Sequence, residues 1–186
     1  VAAAHPEHRE PAVKRGGRYV ELTRHEQRER VAYHEAGHAV ALVGLGLTIA
    51  EASVRVSWFG RSVSGLVVPR EEDEEVGADE LLVVGHAGIA AEIEWWSWEV
   101  DAKTAVRLAE HNAADDLEVI RGYHRRRPDV TLSRSRARSE AVALVRHHWR
   151  GVEAVAGALY DHGRVNTRQV RRLARLPRVR PPLRTS

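Results

Sequence analysis

The stretch that most constrains this chain is His34-Glu35-Ala36-Gly37-His38, set in a segment of helical pattern. An i, i+4 spacing is just over one helical turn, so both imidazoles leave one face and can meet a single metal ion. Glu35 lies about 100° round the helix from His34, close enough to hold a water bound to that metal. Two neutral nitrogen ligands, an open position and a nearby carboxylate are what zinc-dependent peptide hydrolysis needs. The flanks constrain the fold as well. Val31-Ala32-Tyr33 and Ala39-Val40-Ala41-Leu42-Val43 frame the motif with apolar residues, while the preceding turns are charged. That pattern predicts a helix whose second half sinks into a core. Thr23-Arg24-His25-Glu26 fits a capping box, and Gly44 and Gly46 are stop signals, so the helix is expected from Thr23 to about Val43.

A length of 186 residues suits one domain with tails. Such a chain buries about 70% of its unfolded surface and needs no disulfide staples. There are no cysteines, which excludes disulfides, thiolate zinc sites and cysteine nucleophiles. Any metal must therefore be held by His and carboxylate. The longest apolar stretch, Ala39 to Ala50, is too short and glycine-rich to span a bilayer, and the N-terminus lacks a signal pattern. A soluble cytoplasmic protein with no membrane association is expected. Charge is uneven: from His162 to Ser186 there are eight Arg and no acidic residue, against a total of +3. The expectation is a solvated helix and tail. No zinc knuckle, RNP motif or aromatic-interleaved strand supports a nucleic-acid partner.

Along the chain, residues 1–18 contain Pro6, Pro11, Gly16 and Gly17 without periodicity and are expected to be a flexible arm. Residues 19–176 form the domain, and 177–186 a basic Pro/Arg-rich tail. Ala52 to Trp58 alternates and reads as a half-buried strand. Gly60 and Arg61 turn into a second strand, Gly65 to Val68, stopped by Pro69. The acidic run from Glu71 to Glu75 reads as an exposed connector. Leu81 to Trp98 is apolar almost all round and reads as a central helix, with Trp95, Trp96 and Trp98 as core or interface. Ala102 to Tyr123 is helical with an interruption at residues 112–116, and Pro128 closes it. Ser133 to Tyr160 reads as one long helix ended by Gly163, in which His147 and His148 point to different faces. Asn166 or Thr167 then caps a short basic helix. The fold class expected is mainly α, with a two- to three-stranded sheet edge beside the metal helix.

A catalytic zinc normally takes three protein ligands and a water. On spacing alone Asp79, His86, Glu92, His111, Asp115 and Asp116 are all candidates for the third.

Tyr33-His34-Glu35-Ala36-Gly37-His38-Ala39 resembles the H-E-A-G-H-A segment of the FtsH-type ATP-dependent zinc metalloproteases. Two further stretches follow in the family's order. Ala87-Gly88-Ile89-Ala90-Ala91-Glu92 is similar to its G-G-R-A-A-E helix. Asn112-Ala113-Ala114-Asp115-Asp116-Leu117 is similar to its G-A-S-N-D-[IL] segment, whose Asp is the third ligand. The resemblance covers roughly Arg30 to Leu173. It implies Zn²⁺ held by His34, His38 and Asp116, Glu35 as general base, and peptide hydrolysis. It also implies that Gly65, Leu66 and Val67 lie on an edge that pairs with an extended substrate. Glu92 stands either as a partner orienting a ligand imidazole or in a salt-bridge or surface role. Ile89 and Asn112 depart from the pattern without removing a ligand or the base. No ATPase module precedes the motif, so the substrate expected is a peptide or unfolded protein, with any unfolding left to a separate ATPase partner. Competing readings are a non-catalytic adaptor with this fold and a nucleic-acid-associated regulator using the Arg-rich C-terminus. The oligomeric state is left open.

Overall fold

Helix α1 (Arg24–Gly44) is the element the others surround: α2, α6, α7 and strands β3 and β4 all pack on it. The computed structural model describes residues 13–15, 18–57, 63–69, 77–127 and 129–177. The start of α1 is fixed as its sequence predicts. The Thr23 hydroxyl accepts from the Glu26 N–H, and the Glu26 carboxylate accepts from the Thr23 N–H at 2.8 Å. From Val31 onward the helix is almost wholly buried, so its stability comes from packing rather than from propensity. Gly37 shows how close that packing is. A Cβ there would lie 2.5 Å from the Ala87 carbonyl oxygen and 2.8 Å from the Ala91 Cβ, so α1 and α2 touch backbone to backbone.

Helix α2 (Ala78–Trp96) supplies the other half of the core through Leu82, Ala87, Ile89, Ala91 and Trp96. Trp95 and Trp96 are core residues, as expected. Trp98 is exposed and packs edge-on against Tyr33 and Trp149. Helices α3 (Ala102–Asn112) and α4 (Ala114–Arg126) meet at Ala113, whose φ of −97° and ψ of 31° break the helix within the expected interruption. Helix α5 (Arg134–His147) lies on α2, and α6 (Trp149–His162) lies on α1.

The single helix expected from Ser133 to Tyr160 is therefore two. His148, at φ −102° and ψ 19°, separates them, and its ring meets that of His147 edge-on. The physical reason is tertiary: the two halves pack on different neighbours, and no local breaker marks the join. Gly151, in the first turn of α6, lets Ala174 approach to within 2.7 Å of where a Cβ would stand. Gly163 ends α6 at φ 76°, and Asn166 caps α7 (Thr167–Leu173) with a full capping box to Gln169.

Strands β3 (Ile49–Val56), β4 (Val63–Pro69) and β5 (Arg164–Val165) form an antiparallel sheet of order β4-β3-β5, with β4 on one edge. The fold is mainly helical with this small sheet, as the sequence predicts. β3 begins three residues earlier than its alternation suggests, because Ile49 is buried and its backbone bonds the Thr167 hydroxyl. β5 is too short to carry a period and is not visible in the sequence. Strands β1 (Val13–Arg15) and β2 (Arg18–Val20) pair as a separate two-stranded sheet within and just beyond the stretch expected to be an arm. Residues 1–12, the turn at Gly60 and Arg61, the acidic run 71–75, Pro128 and residues 178–186 lie outside the described residues. No helix among the described residues is long and apolar enough to cross a membrane.

Candidate metal centre

His34 and His38 project from one face of α1 towards α2, where Gly88 makes room for them. A Cβ at position 88 would lie 2.3 Å from His38 Nε2 and 2.8 Å from His34 Nε2. Any side chain at that position would occupy the space into which both nitrogens point. Asp116 reaches the same space from the first turn of α4. The two Nε2 atoms are 3.1 Å apart, and Asp116 Oδ2 is 3.0 Å from His34 Nε2. His34, His38 and Asp116 form a group able to hold a metal ion, with one ligand atom from each lying within 4.8 Å of the others.

The outer nitrogens explain why the inner ones are free to ligate. His38 Nδ1–H donates to the Val84 carbonyl at 2.8 Å, and His34 Nδ1–H donates to Glu92 Oε2 at 3.1 Å. In the neutral imidazoles, with the proton on Nδ1, each Nε2 carries the lone pair that a metal needs; at His34 a metal first displaces the Nε2 proton that Asp116 holds. The donor set, two imidazoles and a carboxylate, suits zinc with an open position. Electrostatics ask for a cation here as well. Burial opposes charge on His34, but its hydrogen bonds to Asp116 and Glu92 outweigh this and raise its pKa to about 10. Burial, reinforced by the neighbouring His34 charge, lowers His38 to about 4. Two residues of equal ordinary pKa are thus driven apart, His34 by its carboxylate partners and His38 by burial beside the charged His34.

Glu35 is buried beside this group. Burial raises its pKa to about 7, with the Asp116 charge adding to the rise and His34 opposing it. Strand β4 lies across it: a Cβ at Gly65 would fall 2.3 Å from Glu35 Oε1. Gly65 is thus the position at which the sheet edge comes down onto the carboxylate. Leu66 and Val67 flank it, Leu66 at 56% exposure and Val67 half-buried against the core.

Glu92 is the least expected member. It is 0% exposed and accepts from four side chains. Besides His34 these are Arg30 at 3.3 Å, Trp96 Nε1 at 3.1 Å and Asn112 Nδ2 at 2.5 Å. Burial opposes its charge, but the His34 and Arg30 interactions prevail and its pKa is lowered. Glu92 thus bonds the His34 imidazole and pairs with Arg30, and its full burial removes the surface role. Sequence reading missed Arg30, Trp96 and Asn112. The available signal for Arg30 was its place one turn before His34 on the same helix face.

The other candidate ligands go elsewhere. Asp79 accepts from the backbone N–H groups of Thr131 and Leu132 and from the Thr131 hydroxyl, tying the α4–α5 connection to α2. Asp115 and His111 are exposed. His86 is buried away from the group, its pKa lowered by burial and by the Arg138 and Arg134 charges.

No protein-family model matches the chain. One curated relative is the ATP-dependent zinc metalloprotease FtsH 1 of Sorangium cellulosum (strain So ce56). It is 47% identical over 60 residues, 30% of this chain and 9% of that protein. Over that stretch the chain is FtsH-like. The match spans less than a tenth of the relative, so the relative's activity as a whole does not transfer with it.

Proposed function

We propose that this chain is a zinc-dependent endopeptidase acting on flexible or unfolded protein segments. The observation that carries the reading is the convergence of His34 Nε2, His38 Nε2 and Asp116 Oδ2 beside the buried carboxylate of Glu35. The partial FtsH likeness supports the same reading at a coarser level. These three side chains would hold zinc, which when bound would supply a Lewis acid able to acidify a water and polarise a carbonyl. Glu35 then takes a proton from the attacking water and returns it to the leaving amine. A buried carboxylate beside the group is placed to do both.

The substrate is presented by β4. Among the described residues it is an edge strand, and an edge can pair with an extended peptide, which is sequence-tolerant recognition suited to unfolded chain. Gly65, Leu66 and Val67 are the residues we assign to this contact, because Gly65 brings the strand against Glu35. Glu92 holds the His34 ring in orientation.

The test is zinc content and cleavage of an unstructured protein such as casein, for the wild type and for Glu35→Gln. The variant is expected to hold zinc as the wild type does and to cleave about 10²–10⁴-fold more slowly. Equal cleavage by both proteins would remove Glu35 from the chemistry and the peptidase reading with it.

A further inference from the structure

The third ligand sits on an element that is thinly attached to the rest of the molecule. Helix α4 buries only Ile120 and Gly122, and Ile120 reaches the body by filling the space above Gly85 of α2. Leu117 adds a partial contact, while Val119 faces solvent. The first turn of α4, where Asp116 lies, is held by Ala113, buried just before it, and by the partial contact of Leu117, and apolar contacts of this kind are not directional.

A directional contact at the root of that turn comes from Asn112. It is the last residue of α3, one before the Ala113 break and four before Asp116. Its Nδ2 is 2.5 Å from Glu92 Oε1. A carboxylate only accepts, so the NH₂ group is the side of the amide that faces it. The other oxygen of the same carboxylate takes the His34 Nδ1 proton. The path Asn112, Glu92, His34 therefore joins the root of α4 to the first metal ligand, and Asp116 closes the loop on His34 Nε2. Glu92 cannot shift to accommodate a displaced α4, because Arg30 and Trp96 hold it from α1 and α2.

We infer that Asn112 is a positioning residue for the metal: it fixes the root of α4 so that Asp116 arrives opposite His34 and His38. The inference rests on the proposed zinc site and adds a residue to it that touches neither metal nor substrate. Losing the amide leaves all three ligands present but frees one of the elements that carry them. The expected effect is on metal affinity and on the order of α4, with the rest of the fold unchanged.

The experiment compares wild type, Asn112→Ala, Asn112→Asp and a control on the exposed face of α4, Val119→Ala. Zinc affinity is measured by competition with a chromophoric chelator, and hydrogen exchange is followed in α1, α2 and α4. Asn112→Ala is expected to weaken zinc binding roughly 10–100-fold, the range for groups that orient ligands. Exchange should quicken in α4 and stay unchanged in α1 and α2. Asn112→Asp keeps the shape but sets one carboxylate against another, so it should weaken zinc more than the alanine does. Val119→Ala should match wild type. Wild-type affinity in both Asn112 variants overturns the inference while leaving the zinc site standing. So does a loss of affinity accompanied by equal loosening of α1 and α2, since that is a general loss of fold. A wild type that takes up no zinc at all overturns the proposed function, and this inference with it.

Discussion

Helices α1 and α4 both carry members of the group able to hold a metal, and they are opposite kinds of structure. α1 is enclosed on most sides and reads its position from the whole core; α4 lies on the surface with Ile120 as its principal buried anchor. The comparison teaches that the stability of the fold and the completeness of the metal group are largely separable. His34, Glu35 and His38 come with the core, whereas Asp116 is added to it from outside.

The sharpest way to break this comparison is on the core side. Glu92→Ala removes the acceptor shared by Arg30, His34, Trp96 and Asn112 and leaves a cavity between α1 and α2. A cost of about 3–5 kcal/mol is expected in chemical denaturation of the metal-free protein. Gly37→Ala comes next. Its new Cβ meets backbone on α2, and a loss of about 2 kcal/mol, or roughly 4–8 °C in Tm, is expected by calorimetry. Asp116→Ala should cost less than either without metal, because Asp116 is itself 39% exposed and His34 keeps Glu92 as an acceptor. The same variant should lose nearly all zinc affinity. If Asp116→Ala instead destabilised the metal-free fold as much as Gly37→Ala, the contrast between the two helices would be wrong.

A pH series sharpens the contrast further. The folded pKa of His34 is about 10, above its ordinary 6.5, so the folded chain holds this proton more tightly than the unfolded chain does. That contribution to stability is complete below about pH 6.5 and is lost as pH rises through about 10. Zinc must displace the same proton, so its affinity should rise by about one decade per pH unit in the lower part of that window and flatten towards pH 10. Stability of the metal-free protein and affinity for zinc are thus expected to move in opposite directions between pH 7 and 9.5. Parallel movement would mean that His34 is not the shared group.

The sequence made α1 legible because three independent signals coincide there: a capping box, a change from charged to apolar flanks, and the histidine spacing. The break before α4 was legible from the Asn112 to Asp116 composition, and the choice of Asp116 came from the family resemblance rather than from spacing. The partners of Glu92 were not legible. Arg30 is 62 residues away and Asn112 is 20 away, and such pairings are set by how α1, α2 and α3 pack, which no local pattern encodes. The division between α5 and α6 was hidden for the same reason. Helical periodicity continues across His148, and only the differing neighbours of the two halves separate them.

The most direct test of the central claim is the zinc content of wild type, Asp115→Ala and Asp116→Ala, purified and reconstituted side by side. Wild type and Asp115→Ala should hold about one zinc per chain, as a three-ligand site with an open position does, and Asp116→Ala close to none. A zinc-free wild type, or an Asp116→Ala protein that holds as much zinc as wild type, would contradict the account.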